Sequence, residues 1–180
     1  MSVATDISIT IKRTKDLLPT ARQQINMLTQ EEFGRLDIVR RYQWADPDWM
    51  AIANLNREIV SFAGLLARVI TIDERQVKIA GVNNAVTPQE HRGKGYASAL
   101  LNHAYGFMFK DLRAEHALLL CRDHLVEFYE KLGWYKISCP VQFTKPDSTK
   151  EIWVANTMLY TPANEARISP KFVDLRGYPW

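Results

Sequence analysis

The sequence lacks several features that would have narrowed its class at once. Its 180 residues include only two cysteines, Cys121 and Cys139, too few for a disulfide framework. No apolar stretch reaches the roughly 18 residues that suggest a membrane span. The opening residues, "MSVATDISIT", also lack the basic and apolar regions of a signal peptide. We therefore expect a cytoplasmic protein with free thiols and no membrane partner.

The sequence also has no large excess of charge of either sign. Lys and Arg number 23 against 20 for Asp and Glu, which gives a formal net charge of +3. So small an excess argues against a nucleic-acid partner but leaves room for a local anion site. We find no internal repeat, low-complexity tract or linker. The chain is therefore expected to form one domain over residues 1–180, with residues 161–180 as a C-terminal tail that packs on it.

The hydrophobic periodicity predicts a mixed α/β fold. Helical spacing runs from Leu18 to Leu28, with Pro19 near its start, and Thr29 with Glu32 is a capping-box candidate for a second helix. Alternation of period two predicts a first strand, a meander of three antiparallel strands and a closing pair of strands. A helix after a glycine stretch is expected to make a parallel crossover to a buried strand, and a short helix follows. The strands are expected in "DISITIKR", "MAIANL", "EIVSFAGLLARVITI", "QVKIAGVNNAVT", "HALLLC", "WYKIS" and "EIWVANTMLY".

The glycine stretch, "QEHRGKGYASALL", opens one of the predicted helices. Gly93 and Gly95 carry no Cβ, so the backbone there can come close to a ligand. A helix N-terminus offers unpaired N–H groups and positive partial charge, and Arg92 and Lys94 add full charges. The pattern favours phosphate binding, although a glycine turn that only caps an ordinary helix would look similar.

Two common phosphate-binding motifs do not fit this stretch. A P-loop needs Ser or Thr after Gly-Lys, whereas Tyr96 follows Gly95 here. The dinucleotide fingerprint needs a third glycine where Ser98 stands. The remaining expectation is a phosphate cradle without an obvious metal, which suits coenzyme A.

The segment "TPQEHRGKGYASALL" resembles the acetyl-CoA-binding motif of the GNAT N-acetyltransferases, with Glu90 departing at a variable position. A second segment, "FYEKLGW", resembles the family's helix that carries a tyrosine before the last strands. The resemblance implies a mixed, mostly antiparallel central sheet flanked by helices, and acetyl-CoA as cosubstrate with no metal. The implied cofactor-binding residues are Ala85, Val86, Thr87, Arg92, Gly93, Lys94, Gly95, Tyr96 and Ala97.

The same resemblance implies acetyl transfer to a primary amine of a small molecule. It assigns the oxyanion donor to a backbone N–H near Val86 and the acid that protonates the leaving thiolate to Tyr129. Periodicity alone would make Tyr129 a core aromatic. Asn83 could orient a water in catalysis but cannot itself take a proton. The general base is open.

A narrower resemblance, carried by "ADPDW" and the ending "VDLRGYPW", links the sequence to aminoglycoside 2'-N-acetyltransferases. It implies an aminoglycoside-like acceptor, but Asn83 and Tyr178 stand where that family has acids. We expect residues 174–180 to fold back over the acceptor pocket. Asp46, Asp174 and the carboxylate of Trp180 are the candidates for binding or deprotonating a cationic amine.

The sequence also holds one pair with metal-like spacing and leaves two alternative functions open. Cys121 and His124 have a metal-like spacing, but no second pair accompanies them, so a metal site is not expected. The fold could serve as a coenzyme A-binding sensor or interaction module without catalysis, a role that Asn83 in place of an acid would favour. It could also transfer a longer acyl chain, as the related nodulation acyltransferases do. A homodimer is neither required nor excluded.

Overall fold

One continuous sheet organises the computed structural model, which describes residues 7–180. The order of its main path is β6-β9-β5-β4-β3-β10-β7-β8, and β2 and then β1 extend from the first half of β3. Four α-helices flank the sheet. The strands are β1 Ile7–Arg13, β2 Trp49–Leu55, β3 Glu58–Ile72, β4 Arg75–Val86, β5 His116–Cys121, β6 Tyr135–Ile137, β7 Val141–Thr144, β8 Lys150–Ile152, β9 Asn156–Tyr160 and β10 Val173–Asp174; the helices are α1 Pro19–Phe33, α2 Asp37–Arg41, α3 Tyr96–Gly106 and α4 Val126–Lys131.

The predicted meander and crossover are both confirmed. Strands β2, β3 and β4 are antiparallel neighbours, and β4 runs parallel to β5. Helix α3 makes the connection between β4 and β5. The turn between β2 and β3 places Asn56 and Arg57 at φ of 50° and 71°, the left-handed pair that a two-residue hairpin requires. Among residues 7–180, none of the helices is both long and apolar enough to cross a membrane.

Two sequence-based predictions are wrong in detail. Thr29 and Glu32 lie inside α1, which continues to Phe33, so they do not cap a second helix. The stretch "EIWVANTMLY" forms two strands rather than one: β8 pairs with β7, while β9 pairs with β5 and β6. Buried Trp153 lies in the break between the two strands and joins the core, so packing outweighs the continuous apolar pattern.

The two faces of the sheet bury different clusters. On β5, Leu119 joins the cluster under α3, whereas the adjacent Leu118 joins a cluster with the aromatic residues Trp153 and Trp180. This is the alternation expected of a strand that is buried on both faces. The C-terminal residues therefore cover the face of the sheet opposite α3.

Candidate active site

The site lies where β4 and β5 separate. Their parallel pairing ends at Val82 and Leu119, although both strands continue. Beyond that point β4 carries a bulge. Phe62 on β3 pairs with Val86 and Gly64 pairs with Asn83, so one residue between the pairs on β3 faces two residues on β4. Asn84, inside the bulge, has a φ of 46°. Bulges bend a strand and free its backbone groups, and here the bend opens the sheet between β4 and β5.

The first cavity, called here the cofactor cleft, has a volume of about 510 Å³ and contains the glycine stretch. Gly93 and Gly95 have φ values of 73° and 82°, which glycine adopts without strain. A Cβ placed on Gly93 would meet no atom within 4 Å, so the space above this turn is open. The predicted glycine turn therefore has the form of an open cradle.

The first turn of α3 completes this cradle. Gly95 is its N-cap, no side chain caps it, and the first backbone bond runs from the N–H of Ala99 to the carbonyl of Gly95 at 3.0 Å. The N–H groups of residues 96–98 are thus left free by the helix itself. A coenzyme A pyrophosphate fits this arrangement of free amides and open space.

Nearly all of the predicted cofactor residues meet in this cleft. Lys94 is exposed and is not among the residues that line it. Lining residues that sequence reasoning missed include residues of α1, β3, α4 and the segment between β5 and α4, and no spacing rule connects these to the glycine motif. The predicted residues that line the cleft are Ala85, Val86, Thr87, Arg92, Gly93, Gly95, Tyr96 and Ala97.

A carboxylate on α1 holds two arginines at the mouth of the cleft. Glu32 accepts hydrogen bonds from Arg92 at 2.6 Å and from Arg122 at 3.1 Å. Arg92 also donates from Nε to the carbonyl of Thr87 at 2.9 Å. The network ties α1 to the glycine turn and to the end of β5. Glu32 and Arg122 were not predicted, because the paired residues are far apart in the chain. Glu32 lies 60 residues from Arg92 and 90 residues from Arg122.

A second cavity, called here the aromatic cavity, has a volume of about 250 Å³. The end of α1, helix α2, the tips of β4 and β5, helix α4 and the C-terminus all contribute to its wall. Aromatic and aliphatic side chains predominate in this wall. It shares five residues with the cofactor cleft: Phe33, Ala85, Arg122, Leu125 and Tyr129.

Tyr129 lies at the junction of the two cavities. Its side chain is 6% exposed and packs edge-on against Trp134 and Phe128. Burial raises the pKa of its phenol, and the neighbouring Cys121 and Tyr105 raise it further. The hydroxyl is therefore protonated at neutral pH, the state that a proton donor needs.

Asn83 lies in the wall of the aromatic cavity and is 6% exposed. Its Nδ2 donates to the carbonyl of Ala45 at 3.0 Å, which ties β4 to the loop before β2. Its Oδ1 lies beside Gly64 and has no hydrogen-bond partner among residues 7–180. The indole N–H of Trp153, in the same wall, is also buried without a partner in this part of the chain.

The three predicted substrate residues lie in different places. Trp180 lines the aromatic cavity and is 2% exposed. Asp46 lines a neighbouring polar cleft that shares Thr29 and Asn84 with the aromatic cavity. Asp174 is held by Lys150 and Gln142 and is not among the residues that line these three spaces. The structure thus brings Trp180 together with Asn83 and Tyr129 and leaves Asp174 apart.

The cysteine and histidine with metal-like spacing separate in the fold. Cys121 faces the aromatic cavity and His124 the cofactor cleft. Burial, with Asp123 nearby, raises the pKa of the Cys121 thiol to about 11, so it is a poor nucleophile at neutral pH. Elsewhere Glu58, Glu90 and His91 bring three ligand-type atoms within 4.8 Å of one another, but both carboxylates are exposed.

Solved structures share this fold. An acyl-CoA N-acyltransferase from Pseudomonas aeruginosa is 17% identical with a TM-score of 0.60, and the alignment covers 87% of this chain and 100% of that one. Escherichia coli ElaA is 13% identical with a TM-score of 0.59, over 86% and 99% of the two chains. Arabidopsis thaliana Naa50, in complex with the bisubstrate analogue CoA-Ac-MVNAL, is 15% identical with a TM-score of 0.54, over 86% and 99%.

Comparison of the sequence alone gives the family. No curated protein shows a significant match to the chain. The sequence model of the acetyltransferase (GNAT) domain matches residues 15–137, which include the glycine turn, Tyr129 and both sides of the gap between β4 and β5. The chain therefore belongs to the GNAT acetyltransferase family and is an acyltransferase that uses acyl-CoA.

Proposed function

We propose that the protein transfers an acetyl group from acetyl-CoA to the primary amine of a small molecule. One observation carries this proposal: a cleft with free helix N–H groups and an aromatic cavity meet at a single protonated tyrosine. In this proposal the pyrophosphate lies on the amides of the α3 N-terminus, and the thioester reaches the junction at Tyr129. The amine enters from the aromatic cavity.

The reaction needs a proton donor for the sulfur and a hydrogen-bond donor for the carbonyl oxygen. The amine nitrogen forms a bond to the thioester carbonyl carbon, the C–S bond breaks, the nitrogen loses a proton and the sulfur gains one. Tyr129 is the proposed donor of the proton to sulfur, because its hydroxyl is protonated at neutral pH and the residue lines both cavities. A backbone N–H near Val86, on the β4 segment beyond the bulge, is the proposed donor to the carbonyl oxygen as that oxygen gains charge.

Asn83 and Asp46 take supporting roles in the proposal. Asn83 retains a buried oxygen able to accept a hydrogen bond from the amine or from a water. Asp46 lies in the adjoining polar cleft, where it could receive the proton through water. Trp180 forms part of the acceptor wall.

The test is thiol release from acetyl-CoA in the presence of a panel of primary amines, with mass spectrometry of the products. We expect release that depends on the amine and matches the N-acetylated product one to one. If acetyl-CoA binds in calorimetry but no amine promotes release above the rate of hydrolysis, the proposal is overturned. The non-catalytic coenzyme A-binding alternative would then account for the fold.

A further inference from the structure

We infer that the acceptor is a small primary amine whose substituent is aromatic and uncharged, and not a polycation such as an aminoglycoside. The inference rests on the proposed function, because it takes the aromatic cavity as the acceptor site. The chemistry of the wall, its shape and its effect on an ammonium group all point to this substrate class.

Charge in the wall argues against a polycation. Among residues 7–180, neither Asp nor Glu lines the aromatic cavity. The charged side chain of the wall is the guanidinium of Arg122, which is already paired with Glu32, and the terminal carboxylate of Trp180 would add one negative group at most. A ligand with several ammonium groups would leave water without gaining a carboxylate partner for each of them, and one of its cations would face the guanidinium.

The adjoining polar cleft does not supply the missing carboxylates. Asp46 and Asp48 lie there, but the same cleft is lined by Arg13, Lys15 and Arg22. The wall of the polar cleft therefore contains three basic and two acidic side chains. A polycation reaching out of the aromatic cavity would meet a surface that is, on balance, of its own sign.

The walls suit a ring. Trp44 and Trp153 meet edge to face, with centroids 5.6 Å apart and planes at 83°. Phe33 and Trp180 also line the space. Aromatic rings prefer offset or edge-to-face contacts of this kind. At about 250 Å³ the cavity lies just below the usual range for ligand pockets, so the acceptor is small.

The cavity also favours the reactive form of the amine. Only a neutral amine can attack, and burial among apolar side chains disfavours the charged ammonium. The ionisable side chains that line the cavity among the described residues are Cys121, Arg122 and Tyr129. Cys121 and Tyr129 have raised pKa values and stay neutral, so neither a thiolate nor a phenolate is present to pair with an ammonium. Burial and the guanidinium of Arg122 therefore favour loss of a proton from the bound amine.

The first experiment compares acceptors of similar reach. Thiol release is measured with 2-phenylethylamine, and with 1,4-diaminobutane, which replaces the ring by a second ammonium group; kanamycin represents the aminoglycosides. We expect kcat/KM for 2-phenylethylamine to exceed that for the other two by about 10- to 100-fold, the worth of burying one large apolar group. A preference for 1,4-diaminobutane or kanamycin would overturn the inference while leaving amine acetylation intact. Failure of every amine would instead overturn the proposed function.

A second experiment changes the charge of the wall. Val39, half-buried on α2, lines the aromatic cavity and is not among the residues that line the cofactor cleft. Val39→Asp adds a carboxylate, and Val39→Asn is the control of matched shape without charge. We expect Val39→Asp to lower the ratio of kcat/KM for 2-phenylethylamine to that for 1,4-diaminobutane by on the order of 10-fold, because one close charge pair contributes that much or more. Val39→Asn should change this ratio much less. An unchanged ratio in a variant that keeps its acetyl-CoA affinity would show that the acceptor binds elsewhere. If Val39→Asp does not fold, the comparison of amines on the unaltered protein decides.

Discussion

At the scale of single residues, the proposed chemistry depends on the burial of Tyr129. Its ring packs among other aromatics, as a core residue would, yet it also lines both cavities. The helical period that would make Tyr129 a packing residue and the motif that would make it a proton donor are therefore compatible. Sequence alone could not combine them, because the second cavity depends on Trp44, Trp153 and other residues far apart in the chain.

We predict that Tyr129→Phe lowers kcat by on the order of 100-fold and leaves the dissociation constant of acetyl-CoA nearly unchanged. The reason is that a general acid contributes to the step in which sulfur leaves, and the ring itself is retained. The measurements are amine-dependent thiol release and calorimetric titration with acetyl-CoA. Tyr160→Phe is the control, since Tyr160 is a partly buried tyrosine of β9 that is not among the residues lining either cavity.

The pH profile gives a further check on this assignment. The pKa of Tyr129 is raised above its ordinary value of about 10, so the native hydroxyl loses its proton only at higher pH. The contribution of Tyr129 to kcat should therefore persist from neutral pH to about 10. If Tyr129→Phe has the parental kcat throughout this range, Tyr129 only packs in the core.

At the scale of elements, the sequence predicted best where local rules were strong. The meander follows from apolar runs bounded by turn residues, and the turn of Gly93 and Gly95 follows from residues that tolerate positive φ. Strands β7 and β10 were not predicted. Strand β10 has two residues, Val173 and Asp174, and pairs with both β3 and β7. A strand this short has no period to detect, and its place is set by long-range packing.

We predict that Gly95→Val weakens acetyl-CoA binding by about 10-fold or more. A side chain at the φ of 82° costs roughly 1–2 kcal/mol, most of all if it is β-branched, so the loop would leave the conformation that opens the α3 N-terminus. Isothermal titration with acetyl-CoA measures the change. Parental affinity in Gly95→Val would count against the cradle.

Gly106→Ala is the control for this prediction. Gly106 lies at the other end of α3 with φ of −55°, and a Cβ there would meet no atom within 4 Å. The Gly106→Ala variant should therefore bind acetyl-CoA with the affinity of the parent. Its free energy of unfolding should rise by about 0.4–1 kcal/mol, because alanine restricts the unfolded chain.

At the scale of the whole molecule, distant segments are tied together by buried polar groups. His116 begins β5 and is 9% exposed, and its Nδ1 lies 3.0 Å from the Thr161 hydroxyl, in the segment after β9. Burial lowers its pKa, an effect that outweighs the opposing influence of Glu115 and Glu165, and Arg75 lowers it further. The unfolded chain therefore binds a proton more readily than the native protein at this position.

We predict that stability falls as the pH drops below about 6.5, the ordinary pKa of histidine, because His116 must then be protonated on unfolding but not in the native state. The contribution is fully present above that pH. His116→Gln should show a shallower fall of melting temperature between pH 7.5 and 5. His103→Gln, which alters an exposed histidine on α3, should keep the parental slope. Equal slopes in all three proteins would contradict the assignment to His116.

The end of the C-terminal segment both packs in the core and lines the aromatic cavity. The prediction that it folds back agrees with Trp180 lining the aromatic cavity. The same indole is also part of the core: its Nε1 donates to the carbonyl of Leu118 at 3.1 Å, and Arg68 lies 4.9 Å over its ring. Arg68 also donates to the carbonyl of Tyr178 at 2.7 Å. We therefore expect changes in this segment to lower the melting temperature of the protein.

We predict that Trp180→Ala lowers the free energy of unfolding by about 3–5 kcal/mol, the usual cost of removing a buried tryptophan. For a chain of this size each kcal/mol corresponds to about 2–4 °C, so calorimetry should show a melting temperature lower by roughly 6–20 °C. Below that temperature, kcat/KM for an aromatic amine should fall more than the affinity for acetyl-CoA, because Trp180 lines the aromatic cavity and not the cofactor cleft.

Gly81→Ala tests the packing of Trp180 without removing the indole. A Cβ on residue 81 would lie 2.6 Å from the Trp180 Nε1 and displace the ring. A melting temperature within 2 °C of the parent in both variants, with parental acceptor kinetics, would show that Trp180 neither supports the sheet nor forms the acceptor wall.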